Sequence, residues 1–393
     1  MGEERFGRYM QSFEEETPVS IRLNPMKTNG MSVVNGERVP WCEDGWYLSR
    51  RPNFTMDPLL HAGCYYVQEA ASMFVSHVLR QLVDRPVSML DMCAAPGGKS
   101  TAAIASLPAG SRLCANEPIR NRFNILSENI AKWGWPGCTV TNLYPRDIRA
   151  SKMHYDVILC DVPCSGEGMF RKDEATIREW SPQNVEKCWH LQREIVSDAW
   201  ACLNDGGLLI YSTCTFNIKE NEENIRWMLN AFDDAEVVPV STSPEWHITG
   251  SLLDGFDEPV YRFIPGISRG EGLFLCVVRK GNERNERNER NERNEGTFNF
   301  QLSTLNSQLS TFNFQLSTFN YHLSYPQAIA YLRGEALHLS EDTPRGEVTV
   351  CFEGHPLGLV KNIGNRANNL YPKPWRIKTT HIPNDYEAVL RHT

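Results

Sequence analysis

The chain has 393 residues, a net charge of −8 and an apolar fraction of 41%, which suits two or three globular domains with a real core. No apolar run is long enough to span a membrane, and the charged start "MGEERFGRYM" lacks the apolar heart of a signal peptide, so a cytoplasmic protein without membrane attachment is expected. The 12 cysteines are scattered and never form C-x-x-C, which argues against a disulfide framework, a zinc ribbon or any metal site, while the acidic balance weighs only weakly against nucleic acid, because local patches matter more than the sum.

Residues 1–85 come first. They hold "VSIRLNPMK", a basic strand-like run with Arg22 and Lys27. They continue into "MDPLLHAGCYYVQEAASMFVSHVLRQLV", whose second half has helical spacing of apolar residues. Residues 86–280 alternate strand and helix. "VSMLDM", "RLCANE", "YDVILCDVP" and "LLIYS" read as buried strands. "KSTAAIASL", "RNRFNILSENIAKWG", "PQNVEKCWHLQREIVSDAWACL" and "IKENEENIRWMLNAF" read as the helices between and after them. Ser181 caps the third helix with Pro182 in its first turn, and Gly206 and Gly207 are expected to end it. Asn217, with Glu220 three residues on, opens the fourth. Continuous apolar strands alternating with amphipathic helices predict a parallel sheet covered on both faces, with ligands at the carboxyl ends of its strands.

Residues 281–324 depart from this pattern. A three-residue repeat, "NERNERNERNER", precedes four near-identical heptads beginning "TFNFQLS". Thr, Asn, Ser and Phe are poor helix formers and charge pairs are missing, so the segment reads as a low-complexity linker rather than a coiled coil. Residues 325–393 form a small mixed domain. Between Lys361 and Lys378 it carries basic residues and no acidic one, interleaved with Tyr371 and Trp375, a pattern suited to a nucleic-acid surface.

The turn "LDMCAAPGGKS" follows a strand and opens a helix. Its tail imitates a triphosphate-binding loop, but that motif needs glycine where Cys93 stands, and Pro96 removes a cradling N–H. Gly97 and Gly98 permit a tight turn against a ligand. Glu117 lies about 20 residues on, where a carboxylate can grip ribose hydroxyls. A turn without a phosphate cradle, together with a ribose carboxylate, suits S-adenosylmethionine, and Asp147 is placed to reach an adenine edge.

Two further stretches, "DVPCSGEGMF" and "IYSTCTFN", each bring a cysteine to the end of a strand. Methyl transfer to nitrogen or oxygen does not need one. Transfer to carbon C5 of a pyrimidine does, because a thiolate adding at C6 makes C5 nucleophilic. An acidic residue near ring N3, here Asp161, stabilises the charge that develops. The residues alone leave open which of Cys164 and Cys214 attacks.

The motifs "LDMCAAPGGKS", "DVPCSGEGMFRKD" and "YSTCTFNIKENEENI" resemble those of the Nop/Sun RNA cytosine-5 methyltransferases. "SIRLNPMK", "GCYYVQEAASM" and "PLGLVKNIGNRANNLYPKPWRI" extend the likeness to the bacterial small-subunit rRNA branch (RsmF-like). The resemblance implies a Rossmann-like α/β methyltransferase domain, 86–280, after a small N-terminal α/β RNA-binding segment, 1–85. It implies a C-terminal PUA-like α+β RNA-binding domain, 325–393. It implies Cys214 as nucleophile, Cys164 as the residue assisting release, and Asp161 on the cytosine N3 and amino edge; in DNA cytosine methyltransferases the cysteine after proline attacks instead. It also implies a cofactor cradle of Cys93, Ala94, Ala95, Pro96, Gly97, Gly98 and Lys99, with Glu117 on the ribose, Asp147 near adenine, and Arg122 nearby. Lys99 would orient Asp161 or hold it charged, and Arg171 and Lys172 would meet RNA phosphates. The expected partner is RNA, most directly the small ribosomal subunit, and the protein is expected to be a monomer. Rival readings are a transfer RNA cytosine-5 methyltransferase, an enzyme of the same fold acting on DNA or protein, and a non-catalytic ribosome-assembly factor.

Overall fold

The computed structural model describes residues 1–281, 319–379, 381–383 and 385–392. Most of the repeat segment, 282–318, lies outside them.

The N-terminal part opens with helix α1 (Glu3–Gln11). Strands β1 (Val19–Leu23), β2 (Met31–Val33), β3 (Gly36–Arg38) and β4 (Gly45–Leu48) follow. The short helix α2 (Pro58–His61) starts where the Asp57 side chain accepts the Leu59 N–H, and β5 (Tyr65–Val67) comes next. The basic run 19–27 is indeed a strand and its turn, but its charges are not presented to solvent. Arg22 is fully buried. Its guanidinium donates to Gln68 at 2.7 Å and Thr101 at 2.6 Å and lies 4.5 Å from the Trp133 ring centroid. The Lys27 ammonium donates to the Ala62 and Lys132 carbonyls. Both cations tie the first sheet to the central domain.

The central domain begins with α3 (Phe74–Leu82) and β6 (Ser88–Asp91), then α4 (Gly98–Ser106), β7 (Arg112–Asn116), α5 (Arg120–Trp133) and β8 (Cys138–Thr141). It continues through α6 (Pro145–Ala150), β9 (Tyr155–Asp161), α7 (Glu174–Glu179), α8 (Pro182–Ala201), β10 (Leu203–Thr213) and α9 (Glu222–Ala231). Strands β11 (Ala235–Val237), β12 (Tyr261–Phe263) and β13 (Leu273–Lys280) complete it. The sheet order is β11-β13-β10-β9-β6-β7-β8, with β12 beside β13. Five strands, β10 to β8 in that order, are mutually parallel. The expectation of a wholly parallel sheet is corrected at the other edge, where β13 runs antiparallel to β10 and β11 antiparallel to β13. Apolar neighbours such as Met89 and Leu90, or Leu209 and Ile210, alternate between two buried clusters on opposite faces, as a pleated strand requires.

Ser181 caps α8 by accepting the Asn184 N–H at 3.1 Å. Gly206 and Gly207 do not end that helix, which stops at Ala201. They sit inside β10, where the pairing register with β9 shifts between Leu203 and Leu208. The glycines therefore serve a bulge. Helix α9 starts at Glu222 rather than beside Asn217; the Asn217 side chain accepts the Glu220 N–H and donates to the Glu220 carboxylate, but the Asn217 N–H goes to Glu167, so the capping box does not form.

The C-terminal part has a sheet of order β14-β15-β16-β17 (Asn320–His322, Gly346–Phe352, His355–Asn362, Ala367–Asn369) and a helix, Tyr325–Leu332. Ile329, Leu332, Val348 and Val350 share one buried cluster with Ile21, Leu59 and Tyr65. Strand β18 (Leu390–His392) pairs with β2. The first and last parts of the chain thus close on each other. Tyr371, expected on a nucleic-acid surface, is only 4% exposed. Trp375 packs on it edge-to-face, with the Lys132 ammonium 5.4 Å from the Trp375 ring. The basic residues Lys361, Arg366, Lys373 and Lys378 around them do face solvent. Tyr371 belongs to the interior, with Trp375 half-buried against it, because aromatic area is worth more buried than exposed.

Candidate active site

Four parallel strands end along one edge: β6 at Asp91, β7 at Asn116, β9 at Asp161 and β10 at Thr213. The cofactor turn, Glu117, Asp161 and both cysteines follow from these ends, and Asp147 lies in α6, past β8. Past β6 the chain turns back through Cys93, Ala94, Ala95 and Pro96. The turn is pinned by the Ala94 N–H donating to the Asn116 carbonyl at 2.8 Å and by Arg122 donating to the Ala95 carbonyl at 2.8 Å. Gly97 has φ +111°, a conformation that side-chain-bearing residues avoid. Gly98 then opens α4. Cys93 is buried, and burial pushes its thiol well above the ordinary range, so it lines the turn as a neutral group.

Glu117, just past β7, is almost fully buried. One carboxylate oxygen accepts the Ile119 N–H at 2.9 Å. The other lacks a hydrogen-bond donor, although the Arg122 guanidinium stands 3.5 Å away. That spare acceptor fits the hydroxyl of a ribose. Asp147 lies in the first turn of α6, exposed, accepting the Tyr144 N–H at 3.3 Å. On the loops carrying these two acids, Ile119, Leu143 and Tyr144 expose apolar surface of the kind an adenine ring covers. Donor set, turn and apolar edge together fit S-adenosylmethionine.

Lys99, in the first turn of α4, puts its ammonium 2.7 Å from an Asp161 carboxylate oxygen. Burial disfavours the Lys99 charge, but Asp161 outweighs it and the amine is held above its ordinary range. The other Asp161 oxygen accepts the Ser212 hydroxyl at 2.8 Å, because Asp161 and Ser212 are register partners on neighbouring strands.

The two sulfurs meet. Cys164 Sγ and Cys214 Sγ are 3.2 Å apart, and both cysteines are free. The Cys164 thiol, donating to Cys214, holds Cys214 below the ordinary cysteine range; burial opposes this, and Lys99 assists while Asp161 resists. Cys164 is pushed well above that range by the same bond and by burial. One proton is thus shared unequally, with the thiolate favoured at Cys214.

Some functional neighbours carry no signal in the sequence. Asp91 reads there only as part of a strand. It is fully buried, takes the Ser100 hydroxyl at 2.6 Å, and burial raises its carboxyl to about 7. Glu167 looks like an ordinary loop acid and Glu220 like a helix-capping one, yet both are bonded across the two cysteine loops. Conversely, Arg171 does not face RNA. Its side chain is 5% exposed, paired with Glu271 at 3.3 Å and donating to the Glu15 carbonyl. Lys172 remains exposed.

Three family models match the chain in order. Residues 1–70 match the N-terminal domain of 16S rRNA methyltransferase RsmF, 81–279 match 16S rRNA methyltransferase RsmB/F, and 318–377 match the RsmF PUA domain. Ribosomal RNA small subunit methyltransferase F of Pectobacterium atrosepticum is 34% identical over 281 residues, covering 66% of this chain and 56% of the relative. The protein of the same description from Escherichia coli O157:H7 is 31% identical over 295 residues, covering 70% and 60%. The chain therefore spans less than two thirds of these relatives. A solved methyltransferase homolog from Pyrococcus horikoshii superimposes with a TM-score of 0.59 at 27% identity, over 70% of this chain and 91% of that one. The Rossmann-like central domain, the RsmF-type N-terminal part and the PUA-like C-terminal part expected from the motifs are all present.

Proposed function

Since the chain belongs to the RsmB/F family of 16S rRNA methyltransferases, we propose that it methylates carbon C5 of a cytosine in small-subunit ribosomal RNA. The single observation that carries this reading is the Cys164–Cys214 sulfur pair, 3.2 Å apart, beside the Asp161–Lys99 ion pair. A nitrogen or oxygen methyltransferase has no use for two adjoining thiols.

On this reading the turn from Cys93 to Lys99 holds the methionine part of S-adenosylmethionine, Glu117 the ribose and Asp147 the adenine side, with Arg122 bracing turn and acid. When bound, the cofactor would supply the electrophilic methyl group, leaving as the neutral thioether. The protein's own residues do the rest. Asp161 accepts from the cytosine edge at N3 and the amino group, and Lys99 and Ser212 fix its orientation. Cys214, the sulfur favoured as thiolate, adds to C6 and raises the electron density at C5. After transfer a base takes the C5 proton, the C–H electron pair restores the C5–C6 double bond, the C6–sulfur bond breaks with its pair leaving on Cys214 as thiolate, and Cys164 assists that release. A cytosine in folded RNA must be turned out to reach this edge, at a cost of a few kcal/mol. Phosphate contacts from Lys172 and the exposed lysines and arginine of the C-terminal part offset that cost.

We further read the chain as an N-terminal RNA-binding segment (1–85), the methyltransferase domain (86–280), a linker (281–324) and a C-terminal RNA-binding domain (325–393), acting as a cytoplasmic monomer. Bisulfite sequencing of total RNA from cells with and without the gene tests the function. One small-subunit cytosine should lose protection when the gene is removed. Loss confined to transfer RNA, or no loss at all, contradicts the proposal.

A further inference from the structure

Glu220 is fully buried, and among the described residues none of its hydrogen-bond partners is a cation. Its carboxylate accepts the Ser165 N–H at 3.0 Å, the Gln192 amide at 2.6 Å and the Asn217 amide at 2.7 Å. The adjacent Lys219 is turned to Glu186 instead. Ser165 follows Cys164, and Asn217 lies three residues past Cys214, so one carboxylate grips both cysteine loops. Gln192 on α8 adds a third anchor and also donates to the Pro163 carbonyl at 2.9 Å. An anion left in the interior without a counter-charge is costly, and a structural knot could have been tied with neutral amides.

We infer that Glu220 is a positioning residue for the sulfur pair: its carboxylate locks the Cys164 loop to the Cys214 loop, and its charge disfavours a thiolate at Cys164. The inference deepens the proposed reaction and rests on it for its purpose, but not for its test. The groups facing the sulfurs come from every side. Lys99 approaches from α4, Asp161 from β9, Cys188 from α8, Tyr211 from β10, and Glu220 from the loop before α9. Of these, Glu220 opposes negative charge on both sulfurs, while Lys99 favours it on Cys214. Glu220 thus helps keep the proton on Cys164, while Lys99 separates the two sulfurs by favouring the thiolate on Cys214, the proposed nucleophile. Glu167 ties the same loops from the other end, accepting the Phe216 and Asn217 N–H groups at 2.8 Å and the Trp180 indole N–H at 3.0 Å. It serves as the control: a clasp without an equal charge effect on the thiols.

The test is the pH dependence of iodoacetamide alkylation at Cys164 and Cys214. Each is resolved by peptide mass spectrometry on the full chain, without RNA or cofactor. Glu220→Gln should move the Cys164 midpoint down by about one pH unit. Glu167→Gln should leave it in place while slowing methylation. A folded Glu220→Gln protein with the wild-type midpoint overturns the inference. Should that variant fail to fold, Glu220→Asp withdraws the charge from Ser165 and should give a smaller downward shift; a wild-type midpoint there overturns it equally. Because no RNA is present, these outcomes are independent of whether the proposed substrate is correct.

Discussion

The Lys99 ammonium and the Asp161 carboxylate, 2.7 Å apart, join the two halves of the site: one side chain rises from the cofactor turn, the other from the strand that leads to Cys164. Removing the cation leaves the partly buried Asp161 carboxylate without its ion pair, at the place the proposed function gives to the cytosine edge. Lys99→Met should lower methyl transfer on the order of 100-fold, read as initial rates with saturating RNA. Unchanged rates would remove Lys99 from the machinery.

The sulfur pair makes a second prediction. Cys214 lies below the ordinary cysteine range chiefly because Cys164 donates to it. Cys164→Ala removes that donor, so the midpoint for Cys214 alkylation should rise toward or above the usual thiol value. A midpoint that stays put would assign the activation of Cys214 to Lys99 alone.

Asp91 carries a pH signature. Its folded-state value, about 7, lies above the ordinary 3.8. Such a group contributes stability fully below about pH 4 and loses it as pH rises through 7. Asp91→Asn keeps the hydrogen bond from Ser100 without the charge. The stability of the variant relative to wild type should therefore grow between pH 4 and 7, measured by urea titration at several pH values. A difference independent of pH would contradict the assignment.

The C-terminal part separates packing from binding. Tyr371→Ala opens a cavity in a core position and should cost about 3–5 kcal/mol, seen as a lower urea midpoint. Replacing Lys361, Arg366, Lys373 and Lys378 with Gln should leave that midpoint within about 1 kcal/mol of wild type. It should flatten the salt dependence of RNA binding, since every cation withdrawn from a phosphate takes about one counterion's worth of slope with it.

These contrasts show which features can be read from the residues. The strand ends bearing Glu117, Asp161 and Cys214 are legible because continuous apolar runs stopping at polar residues mark the carboxyl edge of a buried parallel sheet. The placement of Cys164 and Cys214 near that edge is legible for the same reason; their meeting is not, since it depends on two loops that no periodicity constrains. Tyr371 is misplaced on the surface by sequence alone because its basic neighbours suggest exposure, and nothing in the basic run around Arg22 announces that residue's burial. Arg22 is internal, bonded to Gln68 and Thr101 and stacked on Trp133, partners more than 40 residues away in the chain. Gly206 and Gly207 look like a helix stop because a bulge and a helix end both call for glycine.

The most direct test of the account is a denaturing gel of wild-type protein and its cysteine variants, incubated with small-subunit RNA and S-adenosylmethionine. Cys164→Ala should accumulate a slow-migrating protein–RNA band that vanishes when Cys214→Ala is added, and Cys214→Ala alone should show none and transfer no methyl group. A band from Cys214→Ala that requires Cys164 would reverse the assignment of the two sulfurs, and active protein lacking Cys214 would contradict covalent catalysis at this site altogether.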